Sequence, residues 1–360
     1  MIMKKINRVL HVVPDSVASP TQFYLGSTKD IRGRTEYFQH RGILFDEIQA
    51  KERSDKKLLA DISQMDLNSY SVVFYETALY PRTMGFVRRK YPHLVQVTRS
   101  INADFYHWLD YVKANLKYPQ ALLSPKMILN SFRWLFAAFD RLFWGYVCAQ
   151  YSDYMLSIVE WERNHYWKYL TDEKRVRNLP YFLPAIYQRE VEQSDKKMQC
   201  VCLLSSTVGT VPFQRDLVSN FSTVIKRLGN DLPDWLFYVT GDISKLNLNV
   251  ANRVQPTGFL DSPFPLLIES RAVALLSDFG FGFKTKLIDA IQSECYMLVP
   301  KKLYARLPRE IQPYCIVVDI NLVDSFRQAL EQSKAGYPQG APNEVFKEQA
   351  FRVLDEIFLN

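Results

Sequence analysis

The chain has no run of roughly 18 uncharged apolar residues, which excludes a membrane-spanning helix of ordinary length. A secretory leader is not expected either. Met1–Arg8 is basic, but the apolar segment behind it stops at Pro14 without a small-residue cleavage site. The five cysteines (Cys148, Cys200, Cys202, Cys295 and Cys315) are odd in number and sit inside apolar runs, and no histidine stands at metal-ligand spacing. This argues against a disulfide framework and a bound structural metal, and it points to core thiols in a reducing, cytoplasmic compartment. The five histidines (His11, His40, His93, His107 and His165) are scattered, and none shows a partner in sequence. His11, inside a strand, reads as a hydrogen-bonded core residue, and the catalytic residues stay unassigned. Internal repeats and low-complexity segments are absent.

What is present is ordinary globular material: 360 residues, 48% hydrophobic and 23% charged, long enough for two domains with separate cores. The net charge of +7 is unevenly spread. Between Ala78 and Phe139 there are nine basic residues against two acids, Asp104 and Asp110, and this segment alone accounts for the excess. Such a basic face suits an acidic substrate or anionic lipid, or is simply a solvated surface. No nucleic-acid recognition motif accompanies it, so nucleic acid is not an expected partner.

The first half alternates strand and helix. Arg8–Val13 reads as a buried strand, followed by a loop ending at Gly26-Ser27-Thr28, a helix over about Lys29–His40, and a strand from Ile43. Further strands are expected at Val72–Tyr75 and Leu94–Thr98. Alternation of this kind predicts parallel sheets covered on both faces, with ligands beyond the carboxyl ends of the strands. Gly26 and Ser27 sit at one such end, and Arg99, Ser100 and Asn102 at another. They are acceptor-side cleft candidates, with an ordinary turn and loop-capping groups as the alternatives. Phe132, Leu135, Phe136, Phe139, Leu142, Phe143, Tyr146 and Val147 recur at helical spacing. A stripe like this is ordinarily core. A membrane-facing surface is the alternative, because Trp134 and Trp144 flank it and the segment before it is basic.

The second half is organised around Phe279-Gly280-Phe281-Gly282-Phe283-Lys284-Thr285-Lys286-Leu287-Ile288-Asp289-Ala290, which follows the apolar run Ala272–Leu276 and precedes Tyr296–Pro300. Strand, glycine loop, helix, strand is an order in which backbone amides and a helix start can hold an anion, and Lys284 and Lys286 add positive charge. Upstream lie Leu236–Gly241 and Val254–Asp261. This succession resembles the C-terminal half of the GT-B glycosyltransferases, in particular the large retaining group that uses nucleotide sugars. Its nearest look-alike subgroup carries a loop reading G-x-G-T-[KR]-x-K-[IVL]-L-E-A. Gly280, Gly282, Lys284, Lys286, Leu287 and Ala290 fall in register, Phe283 stands for the threonine and Asp289 for the glutamate. Many relatives carry a further glutamate where this chain has Phe281. Before about residue 200 the resemblance is architectural.

The resemblance implies an α/β, GT-B chain of two Rossmann-like domains facing a deep cleft. Residues 1–190 would bind the acceptor and 191–342 the donor, and 343–360 would cross back onto the first domain. It implies a nucleotide-diphosphate sugar as co-substrate, with the base near Gly258 and Phe259. The ribose would lie on Asp289, and the diphosphate at Gly282, Phe283, Lys284, Thr285 and Lys286, with Ser206 and Thr207 close to the phosphates. No Asp-x-Asp motif occurs, so transfer without a metal or other cofactor is expected, with two lysines stabilising the departing diphosphate. The acceptor would be a glycan or a lipid-linked glycan in surface polysaccharide or glycoconjugate synthesis, reached at the cytoplasmic face of a membrane. Two other readings share the fold: a nucleotide-sugar epimerase or hydrolase, and a non-catalytic subunit that supports an active partner.

Overall fold

The computed structural model describes residues 8–19, 22–51, 54–100, 102–117, 124–188, 195–204, 212–244, 251–279 and 283–359. Six strands make the first sheet: β1 (Arg8–Pro14), β2 (Leu44–Ala50), β3 (Val72–Tyr75), β4 (Val95–Ser100), β5 (Tyr154–Ser157) and β6 (Val176–Asn178). Six more make the second: β7 (Lys197–Cys202), β8 (Leu236–Thr240), β9 (Val254–Gly258), β10 (Ser270–Ala274), β11 (Tyr296–Val299) and β12 (Cys315–Val317). The sheets run in the orders β2-β1-β3-β4-β5-β6 and β12-β11-β10-β7-β8-β9. Every strand pair within them is parallel. Helices cover both faces of such sheets, so their central strands must be apolar throughout. Val72 to Tyr75 and Ala272 to Ala274 are accordingly buried at every position. The expected doubly wound α/β architecture is present twice.

The helices that matter to the site are α1 (Gly26–Arg41), α2 (Asp104–Leu116), α3 (Pro125–Tyr151), α4 (Glu160–His165), α5 (Pro212–Leu228), α6 (Lys286–Gln292) and α7 (Pro342–Phe358). Helix α1 starts three residues earlier than the sequence pattern suggests, so Gly26 and Ser27 belong to its first turn rather than to the preceding loop. Helix α7 leaves the second sheet and lies on the first, where the rings of Phe351 and Phe358 pack on Tyr37. Asp355 of α7 accepts from the Tyr37 hydroxyl at 3.0 Å and from Arg41 Nε at 2.8 Å.

A buried charge network fixes α1 to the first sheet. Arg99 is fully buried, and its guanidinium meets Asp30 at 3.1 and 3.0 Å and the carbonyl of Ser157 at 3.1 Å. Arg34 bridges Asp30, at 2.7 Å, to Glu76. His11 Nε2 lies 2.6 Å from Glu76. Burial opposes the charge on Asp30, but Arg34 and Arg99 outweigh it and hold the carboxyl down at about 2. Burial also disfavours the charged His11, yet Glu47 and Glu76 raise its pKa above the ordinary value. His11 is therefore the bonded core residue expected. Arg99 is not a cleft residue: at the end of its strand it turns inward, where Asp30 and backbone carbonyls need its donors.

The aromatic stripe of α3 overturns the core reading. Phe132, Phe136, Phe139, Phe143 and Tyr146 are all exposed, whereas the buried face of the helix carries smaller groups such as Ser131, Ala138 and Gly145 together with Arg141. The periodicity marks an amphipathic helix, and the apolar stripe is its outer side.

Candidate active site in the interdomain cleft

In an open parallel sheet, neighbouring strands whose connections leave in opposite directions open a crevice at their carboxyl ends. Here the crevice falls between β1 and β3 in the first sheet and between β7 and β10 in the second. The segments leaving β1, β7 and β10 converge on a cavity of about 400 Å³ between the domains. From the first domain it is lined by Gln22, Tyr24, Leu25, Gly26 and Lys29, and from the second chiefly by Thr240, Phe259, Thr285, Lys286 and Asp289.

At its centre Lys29 on α1 donates to Asp289 on α6, an ion pair between residues 260 positions apart, with both side chains almost wholly buried. Asp289 is not open to solvent. Instead one carboxylate oxygen is taken by Lys29, and the other, Oδ1, has no hydrogen-bond partner among the described residues. A buried carboxylate oxygen left unpaired is costly, so one that lines a cavity is a candidate for a ligand hydroxyl. On the first-domain side, Thr28 Oγ1 is likewise buried without a partner. The amides of the first turn of α1 lack intrahelical acceptors, which makes this helix end receptive to an anion. Gly26 is required there, because a Cβ would overlap Thr285 Oγ1 of the facing domain.

Lys286 Nζ donates to the Leu203 carbonyl at 2.7 Å. Burial of its ammonium pushes its pKa down to about 7, and burial takes Lys284 down to about 8. These are cations that a bound polyanion would stabilise. Lys284 lies over the Phe213 ring of α5, 5.0 Å from its centroid. Phe259 is 59% exposed and lines the cavity, a free aromatic face of the kind a planar base stacks on. Gly258, just before it, has φ +71 and bonds back to Gly241 at 2.7 Å, a turn that L side chains resist.

Of the residues read from sequence, Gly26, Phe259, Thr285, Lys286 and Asp289 are brought together, with Gly258 adjacent. Ser27 is half-buried in the first turn of α1 but outside the cavity lining. Ser100 bonds the carbonyl of Asn102 at 2.8 Å, the loop-capping alternative. Phe283 faces the Tyr181 ring at 5.8 Å and sits over a second small cavity with Glu162 and Arg306. Gly280, Gly282, Ser206 and Thr207 lie outside the described residues.

Two site residues escaped the sequence reading. Lys29 is one, and only its position in the first turn of α1 hinted at it. Glu162 of α4 is the other. It is fully buried, neither carboxylate oxygen has a hydrogen-bond partner among the described residues, and burial raises its pKa to about 8. It is a neutral carboxylic acid at pH 7, close enough to Arg99 and Lys284 for their charges to be felt.

No protein-family model and no curated protein matches the sequence. In three dimensions the chain is similar to sucrose-phosphate synthase from Thermosynechococcus elongatus, with a TM-score of 0.64 at 11% identity over 98% of this chain and 99% of that one. It is similar to Anabaena HepE, solved with UDP, with a TM-score of 0.54 at 10% identity over 98% and 95%. It is also similar to an assigned UDP-N-acetylglucosamine 2-epimerase from Listeria monocytogenes, with a TM-score of 0.55 at 9% identity over 99% and 97%. The fold is GT-B, two Rossmann-like domains, as in glycosyltransferases. Among the described residues no helix is long and apolar enough to cross a membrane.

Proposed function

We propose that this protein is a glycosyltransferase of the hexosyltransferase type, carrying a sugar from a nucleotide-diphosphate donor in the interdomain cavity to a glycan or lipid-linked acceptor. The observation that carries this reading is the juxtaposition of Asp289, with one oxygen unpaired, and Lys286, easily protonated, on the wall opposite the first turn of α1. The ribose donates to Asp289 Oδ1, the base stacks on Phe259, and the diphosphate lies against Lys286 and the α1 amides. Negative charge grows on the diphosphate as the sugar leaves, and cations preorganised in a low-dielectric cleft favour that state over the ground state. This set of groups supplies the charge stabilisation without calling on a metal. The crystal structures of HepE with UDP and with UDP-glucose support a donor of this kind. In residues 78–139 Arg99, Lys117, Arg88 and Lys113 are taken up in ion pairs, and the exposed Arg82, Arg89, Lys90, Lys126 and Arg133 suit an acidic acceptor, such as a lipid-diphosphate-linked glycan at the inner face of a membrane in polysaccharide synthesis.

The test is calorimetry with UDP, GDP and ADP, followed by sugar release from the matching nucleotide sugar with and without a lipid-linked acceptor. Binding of one nucleotide and acceptor-dependent release are expected. Release without acceptor assigns an epimerase or hydrolase, which the Listeria neighbour keeps in view. Absence of nucleotide binding overturns the donor site and leaves a non-catalytic role.

A further inference from the structure

Helix α3 is 27 residues long, about 40 Å at 1.5 Å per residue, and its outer face is apolar along nearly its whole length. Leu129, Phe132, Phe136, Phe139, Phe143 and Tyr146 follow one another at spacings of three and four, with Phe132 66%, Phe136 81% and Phe143 64% exposed. Isolated exposed hydrophobic residues are ordinary, but a contiguous band of this size marks a contact surface.

Two observations choose the occupant. The first is charge. Asn115 of α2 bonds Ser131 Oγ at 2.8 Å and the Met127 carbonyl at 3.0 Å, so the end of α2 lies beside the first half of α3. On α3 itself Lys126 and Arg133 are exposed. The neighbouring acids leave these two alone: Asp110 is paired with Lys113 at 3.9 Å, and Asp216 is buried and paired with Lys117. Asp140 is the single exposed acid on α3. The second observation is the composition of the flanks. A seam between two copies of a helix needs complementary charges along its edges. Here one edge is the uncharged Ile128, Leu135 and Leu142 and the other Arg133, Asp140 and Val147, so one edge carries no charge with which to complement a second copy. Aromatic residues over a basic margin match the interfacial zone of a bilayer.

We propose that the outer face of α3 docks this protein on an anionic phospholipid surface. The rings of Phe132, Phe136, Phe139 and Phe143 enter the boundary between headgroups and acyl chains, and Lys126 and Arg133 meet the lipid phosphates. None of these residues lines the cleft cavity, and the proposal does not depend on the identity of its ligand.

The experiment is flotation of the full chain with vesicles of phosphatidylcholine and phosphatidylglycerol at about 3:1, and with phosphatidylcholine alone, in the absence of any nucleotide. Strong binding to the mixed vesicles is expected, weakening as salt screens the lysine and arginine. Phe132→Ser with Phe136→Ser, at positions too exposed to support the core, should weaken it about tenfold or more. Lys126→Gln with Arg133→Gln should weaken it several-fold on the anionic vesicles only. Brominated lipids should also quench wild-type fluorescence through Trp134 and Trp144, a readout that needs no variant. Absence of flotation, equal flotation of the double phenylalanine variant, or absence of quenching overturns the proposal. So does a wild-type dimer that the same double variant makes monomeric without any vesicle binding, which would assign the face to a second copy.

Discussion

Two clusters of buried charge lie a few residues apart on and around α1, and they are built on opposite principles. In the network of His11, Glu76, Arg34, Asp30 and Arg99, each carboxylate oxygen is met by a cation or an imidazole, and Arg99 spends its remaining donors on backbone carbonyls. In the cleft, Asp289 has one oxygen unpaired and Lys286 is held near half-protonation at neutral pH, and beside the neighbouring small cavity Glu162 is neutral because burial outweighs the pull of Arg99 and Lys284. A network whose carboxylates are all met has no anion left for a ligand and serves to hold its elements in place. An unsaturated one is tolerated where a ligand completes it. Because Lys29 and Asp30 are consecutive, the saturated network also positions the unsaturated one.

The sharpest way to break this contrast is in the saturated cluster. Arg99→Ala strands Asp30 in the interior with part of its pairing lost, and removing one partner of a buried pair costs about 3–5 kcal/mol. A fall in Tm of roughly 10 °C is expected, checked by differential scanning calorimetry. An unchanged Tm would mean that water reaches Asp30 and the network is not a closed core.

Glu162 gives the next effect, and its sign is fixed by linkage. Its folded pKa, about 8, stands above the ordinary 4.5, so the folded state holds a proton that the unfolded chain has already released. The contribution to stability is complete below pH 4.5 and is lost as pH rises towards 8, with a slope of up to about 1.4 kcal/mol per pH unit. Glu162→Gln keeps the neutral form at every pH. Its stability relative to wild type should therefore rise between pH 5 and 8. Urea denaturation at several pH values measures this, and a constant difference would refute the buried neutral acid. The comparison must be a difference, because Lys284 and Lys286, lowered from 10.5, act with the opposite sign above pH 7.

In the cleft the effect is on binding. Asp289→Ala removes the acceptor for a ribose hydroxyl, and a hydrogen bond to a charged group contributes roughly 1.5–3 kcal/mol. Nucleoside diphosphate affinity should fall by about ten- to a hundredfold in calorimetry. The same substitution leaves the almost wholly buried Lys29 without its partner, so Tm is measured beside the affinity to separate lost binding from lost fold. Wild-type affinity in a folded variant would leave Asp289 as a domain clasp alone.

The parallel sheets were legible because their signal is local: apolar runs such as Val72–Tyr75 and Ala272–Leu276 separated by helical periodicity. Phe259, Thr285, Lys286 and Asp289 were legible because they sit where a parallel strand ends, which is where such sheets bind ligands. The rest depends on partners distant in sequence. Nothing near Asp289 announces Lys29, and nothing near Arg99 says that Asp30 waits inside. Glu162 reads as one more acid on a short polar helix until burial is known. For α3 the spacing identified an amphipathic helix correctly, but periodicity cannot say whether the apolar side turns towards the protein or away from it.

The smallest expected effect tests the unsaturated cluster most directly, because it follows the proton itself. Burial lowers Lys286 to about 7 and Lys284 to about 8, so at pH 8 the empty cleft has released much of that charge. A diphosphate beside them favours the ammonium forms and raises both pKa values. Binding at pH 8 should therefore take up protons, whereas at pH 6 both lysines are already charged and uptake should vanish. The affinity should decline as pH climbs from 7 to 9, by no more than about tenfold per unit for each proton taken up. Calorimetry of UDP binding in buffers of different ionisation enthalpy measures the uptake, and Lys286→Met should remove most of it. Tight binding at pH 8 with no dependence on the buffer would place the diphosphate away from these lysines.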